Sequence, residues 1–285
     1  MAGRPLVILT GAGFTKNWGG FLASEVDCLL HAQIAHQDRQ LADKFWNLGA
    51  QDKNYEDFIA ACEGETQVKV LEHLSEVFRT QQDCLKWFED PTNQWRNLLN
   101  NNLQRDIKWF TLNQDVLMEK LFGSDHPVNI ALHEIPNDVE VDPNYHCRQS
   151  SIYTSIPYVK IHGSYGWTHK ERPYIVSGRN KEEQLLGSGR DLLEGAIGQE
   201  NAVLLIIGYS FSDPHINTNL TKVAATGAVV IVEPDGLAKV RARNTQHKGY
   251  SEIGHLLSKT KLVVQDNLLG CLDGRRPWLE KFDSL

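Results

Sequence analysis

The sequence predicts an α/β protein: a Rossmann-like, doubly wound, mostly parallel sheet with a helical insertion after its first strand. Three observations predict it. Short, nearly continuous apolar runs recur along the chain, as in strands buried on both faces. Helix-forming stretches separate several of them, giving the β–α alternation of a parallel sheet. Several runs end in a glycine, an amide, a carboxylate or a histidine, the residue types that open α/β sheets carry at their ligand-binding edge.

The first run, Pro5-Leu-Val-Ile-Leu-Thr10, is β-branched and leads at once into Gly11-Ala-Gly-Phe14. It reads as a buried strand feeding a glycine turn. Residues 21–105 are rich in helix formers. Leu22, Val26, Leu29 and Leu30 have helical spacing, as do Val70, Leu71, Leu74, Val77 and Phe78. Asp90-Pro91 interrupts the pattern and Gln94–Leu103 resumes it. Four or five helices are expected, forming a subdomain at 21–105. Trp46, Trp87 and Trp95 on these helices are expected in a core or an oligomer interface. The nucleotide-type domain would comprise residues 1–20 and 106–285. There, strands are expected at 107–111, 128–132, 157–161, 202–208, 228–233 and 261–265, with helices at 115–122, 181–199, 213–225 and 236–243. Residues 134–156, with Pro136, Asn137, Pro143 and Asn144, read as a long loop.

Composition narrows the function classes. The 285 residues fit one large domain or one domain carrying a substantial insertion. Hydrophobic residues make up 41%, with seven Trp and ten Phe, which argues against disorder. No apolar run approaches the ~18 residues of a membrane span, and no secretory h-region precedes the first strand, so a cytoplasmic protein without membrane contact is expected. The net charge of −7 and the lack of a basic run argue against direct nucleic-acid binding. The five cysteines are odd in number, and no pair has Cys-x-x-Cys spacing. Reduced thiols are expected, not a disulfide framework or a four-cysteine zinc ribbon. His126, His133, His146 and Cys147 cluster in sequence but match no zinc module, so no metal is expected. Gly274-Arg-Arg-Pro-Trp278 reads as a partly exposed tail or a docking segment.

Five strand ends carry chemistry, and each admits a structural reading beside the functional one. Gly11, Ala12, Gly13 and Thr15 let a backbone approach a diphosphate, or simply make a tight strand-to-helix turn. The run departs from Gly-x-Gly-x-x-Gly, since Lys16 holds the last position. Asn113 and Asp115 share one side of an extended segment at a strand tip, or cap the following helix. His162, before Gly163, is placed as a general base near neutral pH, or sits satisfied at the core rim. Gly208, Tyr209, Ser210 and Asp213 form a second turn of nucleotide-contacting type, with Asp213 as N-cap and Pro at the first helical position. Gly208-x-Ser210-x-Ser212 also approaches a nucleophile elbow, but lacks its last glycine. Glu233 ends the next strand, where a carboxylate accepts from ribose hydroxyls or serves as a turn residue. Together the strand ends converge on one crevice.

In order, Gly-Ala-Gly-x-Thr at 11–15, Thr-x-Asn-x-Asp at 111–115, His-Gly at 162–163 and Gly-Tyr-Ser-Phe-x-Asp at 208–213 resemble the sirtuin-like family. The resemblance spans residue 5 to about 236, the helical insertion excepted. It implies NAD as substrate. Gly11, Ala12, Gly13 and Thr15 would cradle the diphosphate, and Asn113 and Asp115 would hold the nicotinamide-ribose side. His162 would be general base toward a ribose hydroxyl, beside Gly163. Gly208 and Ser210 would reach the phosphate and adenosine-ribose region, Tyr209 and Asp213 would shape that turn, and Glu233 would reach the adenosine ribose. Two departures matter. Lys16-Asn-Trp-Gly-Gly-Phe21 replaces the Ser-Gly-Ile-Pro-Asp-Phe-Arg-like stretch of protein deacylases, and their zinc-binding cysteine pairs are absent.

These departures resemble the bacterial branch that hydrolyses NAD to nicotinamide and ADP-ribose in antiphage defence. That branch implies a catalytic set of Asn113, Asp115 and His162, no metal, a homo-oligomer and a partner such as a HerA-like ATPase, an Argonaute-type protein or a nucleotide sensor. An NAD-dependent protein deacylase and a non-catalytic NAD- or ADP-ribose-binding scaffold are the alternatives.

Overall fold

The computed structural model describes residues 3–49, 54–85, 89–122, 128–142, 154–170, 172–175, 187–233, 256–257 and 260–265. Seven strands form a parallel sheet in the order β10-β9-β8-β1-β2-β5-β3. They are β1 (Leu6–Thr10), β2 (Ile107–Thr111), β3 (Val128–Leu132), β5 (Thr154–Lys160), β8 (Val203–Ile207), β9 (Ala228–Glu233) and β10 (Thr260–Gln265). The expected mostly parallel α/β architecture is therefore present, with each apolar run at its expected place.

The runs are apolar on both faces because both faces are covered. Along β1, Leu6 and Ile8 enter one core while Val7 and Leu9 enter the other. The first core packs the sheet on the single-turn helix α1 (Ala12–Thr15), on α6 (Glu89–Asn101) and on α7 (Leu117–Phe122). Phe14 lies at its centre, with ring centroids 4.9 Å from Trp95, 5.2 Å from Trp18 and 5.7 Å from Trp109. The second core packs the opposite face on α8 (Gly187–Ile197) and α9 (Pro214–Leu220) through Leu193, Ala196, Ile197, Ile216 and Leu220.

After α1, five further α-helices of the described residues lie before β2: α2 (Ala23–Gln37), α3 (Arg39–Gly49), α4 (Tyr55–Ala61), α5 (Gly64–Asp83) and α6. Their ends carry ordinary capping chemistry. Glu25 accepts from the Leu22 N–H at the start of α2, and Asn54 accepts from the Glu56 and Asp57 N–H groups at the start of α4. A left-handed Gly19 ends the 3-10 turn Lys16–Trp18. The helical segment divides in two. Helices α2–α5 close a separate core around Leu30, Phe45, Phe58, Val70 and Leu74. Helix α6 belongs to the sheet instead, through Trp95, Leu98 and Leu99. Trp95 is fully buried, Trp46 is 69% exposed, and Trp87 lies outside the described residues.

A small antiparallel sheet differs from the expected loop and turn. It runs β4-β6-β7, from β4 (Glu140–Val141), β6 (Gly163–His169) and β7 (Arg172–Ile175). Gly163 is not only a turn residue: it opens β6, whose Tyr165 packs, with Ile175 of β7, into the helical core. The rest of the loop expected at 134–156, the helix expected at 236–243 and the tail at 274–278 fall wholly or largely outside the described residues. Among the described residues no helix is long and apolar enough to cross a membrane.

Candidate active site at the sheet switch point

The chain leaves β1 for β2 on one side, and later returns to place β8 on the other. The strand order therefore reverses between β1 and β8, where open α/β sheets form their crevice. The five motif-bearing strands, β9, β8, β1, β2 and β5, are consecutive neighbours.

At the β1/β8 junction the two glycine turns interlock. The Gly11 N–H donates to Ile207 O at 3.0 Å and the Gly13 N–H to Gly208 O at 3.1 Å. A Cβ on Gly11 would lie 2.6 Å from Gly208 O, and one on Gly13 would lie 2.9 Å from Gly208 Cα. Gly208 has φ +61°, and its own Cβ would fall on Phe14 N. All three positions need glycine because two backbones touch there. Of the two readings of the first motif, the tight turn is thus realised. A ligand role for Gly11, Ala12 and Gly13 draws its support from their position at the switch point.

Next to this junction, Thr15 joins the first motif to the second. Asn113 Nδ2 donates to Thr15 Oγ1 at 3.2 Å. The Thr15 hydroxyl proton has Ala12 O at 3.2 Å and Asp115 Oδ2 at 3.3 Å within reach. Asp115 Oδ1 accepts from the Leu117 N–H at 3.0 Å, so this carboxylate also caps α7, as the structural reading of the motif foresaw. Thr15, Asn113 and Asp115 are all buried. Burial raises the Asp115 pKa above its ordinary 3.8, against the opposing pull of the Lys160 charge, the Leu117 N–H and the Thr15 hydroxyl.

The second and third motifs are stitched together by main-chain bonds. The Ile161 N–H donates to Thr111 O at 3.0 Å, the Tyr165 N–H to Gln114 O at 3.0 Å, and Ser164 Oγ to the same carbonyl at 3.2 Å. His162 sits on the two-residue turn between β5 and Gly163, whose φ of +69° redirects the chain into β6. Its Nε2 lies 3.2 Å from Asp213 Oδ2, out of line for a hydrogen bond. Both side chains are buried.

Asp213 is held firmly. Its Oδ1 accepts from the His215 and Ile216 N–H groups, capping α9, which leaves Oδ2 toward His162. Tyr209 braces the same turn by donating to Asp213 O, with Asn217 Oδ1 at 2.9 Å from its hydroxyl. Burial holds the Tyr209 phenol well above its ordinary pKa of 10.0, so it is a neutral donor. Local pattern assigns Asp213 only a part in shaping the turn; its contact with His162 carries no local signal, since 51 residues separate the two. Ser210 Oγ lies 2.8 Å from Ser212 Oγ on the exposed side of this turn. Glu233 ends β9, buried, one strand beyond Gly208, whose N–H donates to Val232 O.

Two buried residues escaped the sequence reading altogether. Lys160 Nζ donates to the Asp115 carbonyl oxygen and, at 2.7 Å, to Glu119 Oε1. Among the described residues, no group of three His, Cys, Asp or Glu is arranged to hold a metal ion. His133 is described, whereas His126, His146 and Cys147 are not.

This fold and its ligand edge define a Rossmann-like protein with a built polar site at the switch point. The profile of the SIR2-like domain family matches residues 108–252, and the chain belongs to that family. No curated protein matches the sequence significantly. Among solved structures, the chain is similar to a mutant Sir2 homologue in complex with ADP-ribose, at 15% identity and a TM-score of 0.52, over 99% of this chain and 94% of that one. It is also similar to a multiply substituted Sir2 homologue carrying 2′-O-acetyl ADP-ribose, at 14% identity and a TM-score of 0.54, with the same coverage. At these identities the likeness establishes the shared fold.

Proposed function

We propose that the chain binds NAD across the β1/β8 switch point and cleaves its nicotinamide–ribose bond. The observation that carries this reading is the convergence of Thr15, Asn113, Asp115, His162 and Asp213 on loops bonded to one another above β1, β2, β5 and β8. The bond breaks through an oxocarbenium-like state, so the site has to hold both rings, balance developing positive charge and position a nucleophile. Asp115 balances the charge. Asn113, tied to Thr15, orients the nicotinamide-ribose side. His162 accepts the proton of the attacking group, its ring oriented by Asp213. The diphosphate lies over Gly11, Ala12, Gly13 and Thr15, facing Gly208, Tyr209 and Ser210. Gly163 shapes the floor beside His162, and Glu233 accepts from the adenosine ribose.

Two acceptors are compatible with this site. Water yields nicotinamide and ADP-ribose. Its support is the sequence, in which no cysteine pair has Cys-x-x-Cys spacing and the first motif departs from the deacylase pattern. An acyl-lysine is the acceptor more directly supported by the similar solved structure that carries 2′-O-acetyl ADP-ribose. With water as acceptor, we place the chain in antiphage defence by NAD depletion, as a cytoplasmic homo-oligomer acting with a HerA-like ATPase or another sensor.

The test is incubation of the chain with NAD, with and without an acetyl-lysine peptide and its neighbouring gene product, followed by mass spectrometry. ADP-ribose without peptide supports hydrolysis. Acetyl-ADP-ribose formed only with peptide supports deacylation and refutes hydrolysis. Intact NAD under every condition, with NAD binding retained, leaves the scaffold alternative and refutes cleavage.

A further inference from the structure

Lys160 is fully buried at the end of β5, in register with Thr111 at the end of β2, where the Asn113–Asp115 turn departs. Its ammonium has two partners in that turn and the helix after it: the Asp115 main-chain oxygen and Glu119 Oε1 at 2.7 Å. Glu119 is likewise buried, and its Oε2 has no hydrogen-bond partner. A buried ion pair of this kind adds little stability over well-packed apolar side chains, because desolvating both charges offsets their attraction. A Met or Leu would serve a strand end as well. The pair is explained instead by what it touches, the carbonyl of a residue whose side chain reaches Thr15 and the first motif.

Resting on the NAD reading above, we propose that Lys160 is a positioning residue. It clamps the Asn113–Asp115 turn through the Asp115 carbonyl and supplies the positive charge opposite the Asp115 carboxylate, with Glu119 setting how much of that charge Asp115 feels. The charge acting on the Asp115 carboxyl is that of Lys160, from β5, with Thr15 and the Leu117 N–H as its neutral partners; Glu119, from α7, feels both Lys160 and Asp115. Lys160 draws Asp115 toward the ionised form, while Glu119 and Asp115 repel one another. Removing Lys160 from a chain that already lacks the Glu119 charge therefore isolates what Lys160 does to Asp115.

The experiment is carboxyl NMR of [13C]Asp-labelled full-length chain, titrated from acid to neutral pH, on wild type, Glu119→Gln and Lys160→Met/Glu119→Gln. The double variant leaves no orphaned charge, which guards against unfolding. Glu119→Gln should not raise the Asp115 midpoint, and the double variant should titrate above Glu119→Gln by ~1 unit or more, the usual effect of losing a nearby opposite charge. The acid limb of NAD turnover should move with it. A purely structural Lys160 would leave the midpoint of a folded double variant where Glu119→Gln has it. That result, or an upward shift in Glu119→Gln, overturns the proposal. The titration needs no NAD, so absent turnover would refute the NAD reading and leave the Lys160 result standing on its own.

Discussion

Replacing Gly208 by alanine tests the interlock of the two glycine turns. A side chain at φ +61° costs ~1–2 kcal/mol by itself. The new methyl would also fall on Phe14 N and lie 2.6 Å from the Gly13 carbonyl carbon. Neither is a flexible side chain, so the turns must part, and forcing extra volume into a packed region costs ~1–3 kcal/mol more. A total of ~2–5 kcal/mol corresponds to a melting point about 5–15 °C lower in a protein of this size. Gly64→Ala is the internal control. Its φ is +55°, but its Cβ would meet nothing within 4 Å, so only the conformational cost of ~1–2 kcal/mol applies. Thermal unfolding by circular dichroism reads both variants, and ADP-ribose titration reads the site. If Gly208→Ala melts no lower than Gly64→Ala, the two turns are not in contact as described. If it melts lower yet binds ADP-ribose as wild type does, the junction is structural and takes no part in binding.

Other consequences are as direct. Phe14→Ala empties the centre of the aromatic cluster formed with Trp18, Trp95 and Trp109 and should cost ~3–5 kcal/mol in urea unfolding, with a change in tryptophan emission. Asp213→Ala removes the cap of α9, worth ~1 kcal/mol, and the group beside His162. Its turnover of NAD should fall at least tenfold, while Thr218→Ala, on the exposed part of the same helix, should leave turnover near wild type. Burial raises Asp115 and Glu119 above their ordinary values of 3.8 and 4.5, so the folded chain keeps protons that the unfolded chain has released. Their contribution to stability is therefore lost as pH rises through and above those values. Glu119→Gln, which does not ionise there, should show a smaller loss of urea midpoint with rising pH than wild type over that range.

The sheet was legible because buried parallel strands write themselves as apolar runs, and Leu6–Leu9 and Val203–Ile207 leave no other reading. The strand-end motifs were legible for the same reason: Asn113, His162 and Gly208 follow immediately on such runs. The small sheet was not, since Gly163-Ser-Tyr-Gly-Trp reads as a glycine turn until β7 is found opposite it. The periodicity of helix α6 is that of any amphipathic helix and groups it with the insertion; its packing, Trp95 against Phe14 among it, ties it to the sheet. The site's long-range pairs were beyond local patterns. Lys160 lies 41 residues from Glu119, and a charged residue in a strand end is normally read as exposed.

The most direct measurement of the central claim is an experimental structure of the chain with ADP-ribose. The account predicts the diphosphate between the Gly11–Thr15 and Gly208–Ser210 turns, and the distal ribose between Asn113 and His162. Ligand bound elsewhere on the fold, or a chain that takes up no ADP-ribose at saturating concentration, would contradict it.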